Sequence, residues 1–166
     1  VSAHHLARTG FVVFLALLCV GCVPYSDGID DTMSLEDAKE HAQQVEREIA
    51  SAVPVELLSD VDQRDKGSFL ACSRDGGHQW AGGLTATVVS DPAPEEVLNP
   101  IALHFADRDD LAVGRREDHG DSLLDLMGPH GAMWIVRYVR DRGELDVDSF
   151  ATCIRLPEGV WPGGSY

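Results

Sequence analysis

The residues able to do chemistry in this chain are four cysteines, seven histidines and 28 carboxylates, and their spacing limits which chemistry is open to them. Cys72 and Cys153 have no second cysteine two to four residues away and no histidine at ligand spacing, which argues against a zinc site. His41, His78, His104, His119 and His130 are scattered singly. No HExxH sets two imidazoles on one helix face, no GxSxG exposes a serine on a strained turn, and no SxxK puts a lysine one turn from a serine. Phosphate loops of the GxxxxGK or GxGxxG kind are absent too. Asp60, Asp62 and Asp65 invite a calcium loop, but counting from Asp60 the fifth position is Arg64, the sixth Asp65 and the twelfth Ala71, where a ligand, a glycine and a bidentate carboxylate belong. That segment reads as a solvated loop. His119 lies among Glu117, Asp118 and Asp121, a group more simply read as a polar hairpin turn than as a metal site. The pairs Asp109 with Asp110 and Glu117 with Asp118 are adjacent, whereas a glycosidase pair has to converge across a cleft. Trp80, Trp134 and Trp161 are candidates for a sugar-stacking platform, although tryptophan within strands is more often core. No catalytic residue, metal ligand or cofactor is assigned.

The remaining chemistry is at Cys22, and what precedes it has the build of an export signal. Arg8 and the amino terminus supply positive charge, and an apolar run over 11–20 follows, short of the ~20 residues that span a bilayer. The run ends at Gly21 and Cys22. Val20, Gly21 and Cys22 resemble the lipobox of bacterial lipoprotein signals, with Cys19 standing where an aliphatic residue is usual. The resemblance implies that the Cys22 thiol receives a diacylglyceryl group and that a peptidase cuts between Gly21 and Cys22. Two or three acyl chains, at ~0.8 kcal/mol per buried methylene, hold a protein firmly on a membrane.

On that reading Cys19 leaves with the signal and Cys22 takes the lipid, so Cys72 and Cys153 remain as one pair in an oxidising compartment. The 145 residues from Cys22 onward suffice for one domain with a core. They carry 12 Lys and Arg against 28 Asp and Glu, a formal charge of −16 once Arg8 has gone. A surface so acidic argues against nucleic acid or anionic headgroups bound through a basic patch.

The positioning elements follow in order. After a signal over 1–21, residues 22–33 read as an acidic tether and 34–156 as a single domain. Leu35, Ala38, Ala42, Val45, Ile49 and Ala52 recur at three- and four-residue spacings behind the cap Ser34, predicting a helix over 34–52. Strands are expected over 68–73 and 79–89, with Gly82 and Gly83 marking a bulge or a close backbone approach. A second helix begins near Pro92 to Glu96, and Pro100 either kinks it or starts a new short helix capped by Asn99. Strands over 111–116, 122–127, 132–140 and 144–156 then make an antiparallel meander. The expected fold is α+β: a mainly antiparallel sheet of about six strands, two helices on one face and one long-range disulfide. The tail over 157–166, rich in Pro and Gly, is expected to be irregular, with Trp161 as its anchor.

Signal, lipobox, short acidic tether, helix and strands with two distant cysteines are together similar to small exported lipoproteins of actinobacteria. The likeness rests mainly on Val20 to Cys22, Cys72, Trp80 and Cys153. It implies attachment to the outer face of a bacterial cytoplasmic membrane through the lipid on Cys22, without implying a mechanism. The expected role is a non-enzymatic binding or interaction module for an envelope protein or small ligand. The alternatives are an envelope hydrolase using convergent carboxylates and a cation-binding envelope protein.

Overall fold

A computed structural model of the chain describes residues 28–166. The first helix, α1 (Leu35–Ala52), starts where its cap chemistry requires: Ser34 Oγ accepts the Asp37 amide at 3.0 Å and donates to the Asp37 carboxylate at 2.8 Å. Leu35, Ala38, Ala42, Val45 and Ile49 are buried, so the apolar stripe is the packed face. Extended backbone at Val53 and the proline after it stop the helix. A single 3-10 turn (Val55–Leu57) then leads into the strands β1 (Leu58–Gln63), β2 (Ser68–Ala71) and β3 (Gly77–Val88).

The second helix, α2 (Pro94–Phe105), is one unbroken element with Pro100 inside it. Asn99 caps nothing; its Oδ1 accepts from Arg115 Nη2 at 2.8 Å. An interior proline costs roughly 3 kcal/mol, and the buried face of Val97, Leu98, Ile101 and Phe105 outweighs it. Glu96 helps at the start by accepting the Ala93 amide at 2.9 Å.

Then come β4 (Ala112–Asp118), β5 (Asp121–Met127), β6 (Met133–Val139), β7 (Glu144–Phe150) and the short β8 (Ile154–Arg155). The sheet order is β1-β3-β7-β6-β5-β4, with β2 and β8 also pairing with β3, and all of these ladders are antiparallel. The α+β expectation therefore holds, with eight strands in place of about six. The two additions are β1, where a solvated loop was expected around Asp60 and Asp62, and β8, which is separate from β7 because the chain leaves the ladder over 151–153.

Trp80, Leu84, Trp134, Val136, Tyr138, Leu145 and Val147 point from the sheet into the core beneath both helices. Trp134 Nε1 donates to Ala42 O at 3.0 Å, tying β6 to α1. Gly82 and Gly83 mark close approach without any shift of register against β7. A side chain at Gly82 would collide with the Trp80 indole, and one at Gly83 with Val147 O and the Arg64 guanidinium.

The tail is irregular, as its composition predicts, but its anchor is Tyr166. Tyr166 exchanges backbone hydrogen bonds with Gly67 at 2.7 and 3.0 Å, its carbonyl accepts from Trp80 Nε1 at 3.0 Å, and its ring lies 4.8 Å from Phe69. Trp161 is 71% exposed.

Candidate functional site

Of the residues the sequence singles out, Gly21 and Cys22 lie outside the described residues. Cys72, just past β2, and Cys153, between β7 and β8, form a disulfide with Cα atoms 5.9 Å apart across a separation of 81 residues. The segment that precedes α1 is laced to the same end of the sheet. Asp30 forms a parallel bridge with Ile154 and its amide donates to Cys153 O at 2.8 Å. His130 Nδ1 lies 2.9 Å from Gly28 O, and Arg155 Nε donates to Asp31 at 3.1 Å. The Thr32 hydroxyl and amide both donate to Asp30 and hold its carboxyl below the ordinary value. A cleft of about 460 Å³ lies here, lined by Gly28, the disulfide, Gln79, His130, Gly131 and Met133.

The other candidates do not converge. Asp118 is engaged by Arg137 at 3.0 Å and by His119 at 2.6 Å, and among the described residues no three His, Cys, Asp or Glu form a metal-binding group. Trp80 and Trp134 are fully buried, so neither ring presents a face to a sugar. On the face of the sheet turned away from the two helices Glu144, Asp146 and Asp148 alternate along β7, and Asp146 is pushed up first by burial and then by Asp148 and Glu144. A cleft of about 290 Å³ is lined by Arg115, Arg116, Glu117, Ser122 and Leu123, and so has a single carboxylate.

One polar group was not visible as a site in the sequence. Glu46 projects from the buried face of α1 and is 0% exposed. Ser149 Oγ donates to its Oε1 through a short hydrogen bond, and Gln63 Nε2 donates to its Oε2 at 2.6 Å. Gln63 also donates to Gln43 O at 2.7 Å and accepts from Arg47 at 2.8 Å. Burial pushes the Glu46 carboxyl up, opposed by these hydrogen bonds and by Arg64 and Arg47. This polar chain bolts the edge strand β1 to α1 and β7. Its sequence signal was the position of Glu46, four residues after Ala42 and three before Ile49, inside the apolar stripe.

The remaining feature is apolar. Between the end of α1 and β1 lies a notch of about 370 Å³ lined by Ala50, Ser51, Val53, Val55, Leu58 and Val61. Pro54 and the 3-10 turn aim Val55 outward, leaving it 87% exposed. Val61 is 52% exposed, because a bulge between Ser59 and Asp62, with Asp60 at φ 47°, turns it to the same side as Leu58. The flanking Glu56, Asp60 and Asp62 are all exposed. β1 ends the sheet, so among the described residues no strand lies along its outer edge.

No protein-family model, curated protein or solved structure matches this chain. What the site can do must therefore be read from its own groups. Among the described residues, none of these three clefts is lined by two carboxylates, so none of them offers an acid and a base facing one substrate bond. The notch offers apolar contact beside a free strand edge, which suits recognition of another surface.

Proposed function

We propose that the protein is an exported, lipid-anchored interaction module of a bacterial cell envelope, held by a lipid on Cys22 and engaging a partner at the end of the domain remote from that anchor. The observation that carries this reading is the placement of the tether and the notch at opposite ends of β3. Gly28 to Asp31 are fastened beside the disulfide at the Gly77 end, whereas Leu58 pairs with Val88 at the other. Six residue-to-residue steps lead from Cys22 to Gly28, a reach of at most about 20 Å. β3 then spans roughly 35 Å at ~3.3 Å per residue. An anchor at Cys22 draws the disulfide end towards the bilayer and leaves the notch facing outward. The disulfide agrees with an oxidising compartment. The hydrolase alternative would draw support from facing carboxylates in a cleft, and these three clefts do not offer them.

The test is intact mass and detergent partitioning of the protein from its native host beside Cys22→Ala. The expected product begins at Cys22, carries acyl chains and enters the detergent phase, and the variant does neither. A soluble, unacylated wild-type product would overturn the anchor.

A further inference from the structure

We infer that the notch between α1 and β1 binds an extended segment of a partner protein that presents an aliphatic side chain flanked by Lys or Arg. This deepens the interaction reading above, but it is a statement about the notch and does not depend on the lipid.

The floor of the notch is aliphatic: Ala50, Val53, Val55, Leu58 and Val61, with Ser51 as its polar lining residue. No titratable group lines it, so what enters is desolvated against methyl groups and gains about 25 cal/mol per Å² of apolar surface. A volume of about 370 Å³ suits one or two aliphatic side chains and is too small for a whole helix face. The rim selects by charge. Glu56, Asp60 and Asp62 are exposed and next in sequence to the lining residues Val55 and Val61, and Arg47, one helical turn before the lining residues, is already engaged by Gln63. Charge complementarity therefore calls for a cationic partner. The same rim disfavours a second copy of this chain, which would bring its own three carboxylates and a net charge of −15 to the contact. It likewise disfavours an anionic lipid surface.

The free edge of β1 argues for an extended partner. An edge strand presents unpaired N–H and C=O groups to a peptide laid alongside it. The bulge at Asp60 interrupts the ladder, which limits the added strand to a few residues and puts specificity on the side chain entering beside Val61.

Three capped peptides test this by NMR titration of the exported protein: Lys-Val-Ile-Val-Lys, Glu-Val-Ile-Val-Glu and Lys-Ser-Ser-Ser-Lys. The first should shift the amide signals of Ala50, Ser51, Val55 and 58–62, and its binding should weaken several-fold between about 50 and about 500 mM salt. The other two should bind at least ~10-fold more weakly. Val55→Asp, at a position too exposed to affect folding, should abolish the shifts and leave the melting temperature unchanged. Silence at the notch up to millimolar peptide, equal binding of the Glu-flanked peptide, or shifts confined to Leu70 or Trp161 would overturn the proposal. So would sedimentation showing a dimer, or binding to phosphatidylglycerol vesicles, that Val55→Asp removes. None of these results bears on acylation of Cys22, which the mass measurement reads separately.

Discussion

At the Gly77 end of β3 the chain is fastened by a disulfide, by the Asp30 bridge to Ile154 and by Arg155 reaching both Asp31 and Asp75 O. At the Val88 end the ladder is continued by Val88 N to Gly143 O and Val89 N to Leu57 O, the Arg140–Asp91 ion pair lies on the surface, and the valines beyond are left in water. The same core runs beneath both ends. What differs is where constraint has been added and where apolar surface has been left uncovered. A small domain needs its constraints where the chain enters and leaves the sheet, and the disulfide end is where the segment before α1 joins the sheet and where β8 leads out of it. The notch end carries no such duty, so its exposed valines contribute little to the fold and are free to serve contact with something else.

The largest expected effect breaks the fastened end. Replacing Cys72 and Cys153 together by Ala releases a loop of 81 residues, and on chain-entropy grounds the unfolded state gains up to about 4–5 kcal/mol. Thermal unfolding of the variant should show a fall in melting temperature larger than that of any substitution in the notch. Equal falls from the two ends would remove the contrast drawn above.

The next effect lies between the ends, at the polar bolt. Glu46→Leu leaves the Ser149 hydroxyl without its partner and the Gln63 amide with only one, a loss of about 1–3 kcal/mol in denaturant unfolding, whereas Glu46→Gln keeps its carbonyl oxygen as the acceptor for Gln63 and donates its amide to the Ser149 hydroxyl, which then accepts, and loses less. The pH dependence has a definite sign. Burial raises the Glu46 carboxyl in the folded state, so the folded chain holds that proton more tightly than the unfolded one. Its contribution is greatest below the ordinary carboxyl value of 4.5 and is lost as pH rises through the raised one. Asp30 at the fastened end is depressed and acts oppositely, losing its contribution as pH falls through its lowered value. Glu46→Gln should therefore flatten the decline of stability on the alkaline side of pH 4.5 and leave the acid limb in place. An unchanged profile would show that Glu46 has no differential titration.

How much of this was legible depends on whether the signal was local. The α1 stripe was, because its face is written in residues three and four apart and Ser34 marks its start. β1 was hidden, because the bulge puts Leu58 and Val61, three residues apart, on one side and breaks the two-residue alternation by which a strand is recognised. Pro100 could not be resolved from sequence, since its local penalty is outweighed by the packing of its helix neighbours Val97, Ile101 and Phe105 into a core built from residues distant in the chain. Tyr166 gave no signal as an anchor: its contacts, Gly67, Phe69 and Trp80, lie almost a hundred residues away. The disulfide was legible by counting cysteines once the lipobox resemblance had removed two of them. The notch was not, because it arises where the end of one element meets the bulge of another, and neither Val53 to Val55 nor Val61 is unusual alone.

Tyr166→Ala should have a smaller effect than either change above. It removes the ring from Phe69 and the hydroxyl from Trp161 O but leaves the backbone pairing with Gly67 intact, so a loss on the order of 1 kcal/mol is expected, with earlier proteolysis of the tail.

The smallest effect sharpens the comparison most. Val55→Ser and Val61→Thr remove exposed methyl groups that the fold does not bury, so each should alter stability by no more than about 0.5 kcal/mol in denaturant unfolding. Val61→Thr is compatible with the strand because threonine is also β-branched, and Val55→Ser is compatible with the turn. If either lost as much as Glu46→Leu, the notch would be part of the core and its valines would need no partner to explain them. If both are neutral for folding and Lys-Val-Ile-Val-Lys no longer shifts the notch amides, the uncovered valines serve binding and the fastened end serves the fold. That division puts the constraint where the segment before α1 meets the sheet and leaves the opposite end of β3 free to dock without loosening the domain.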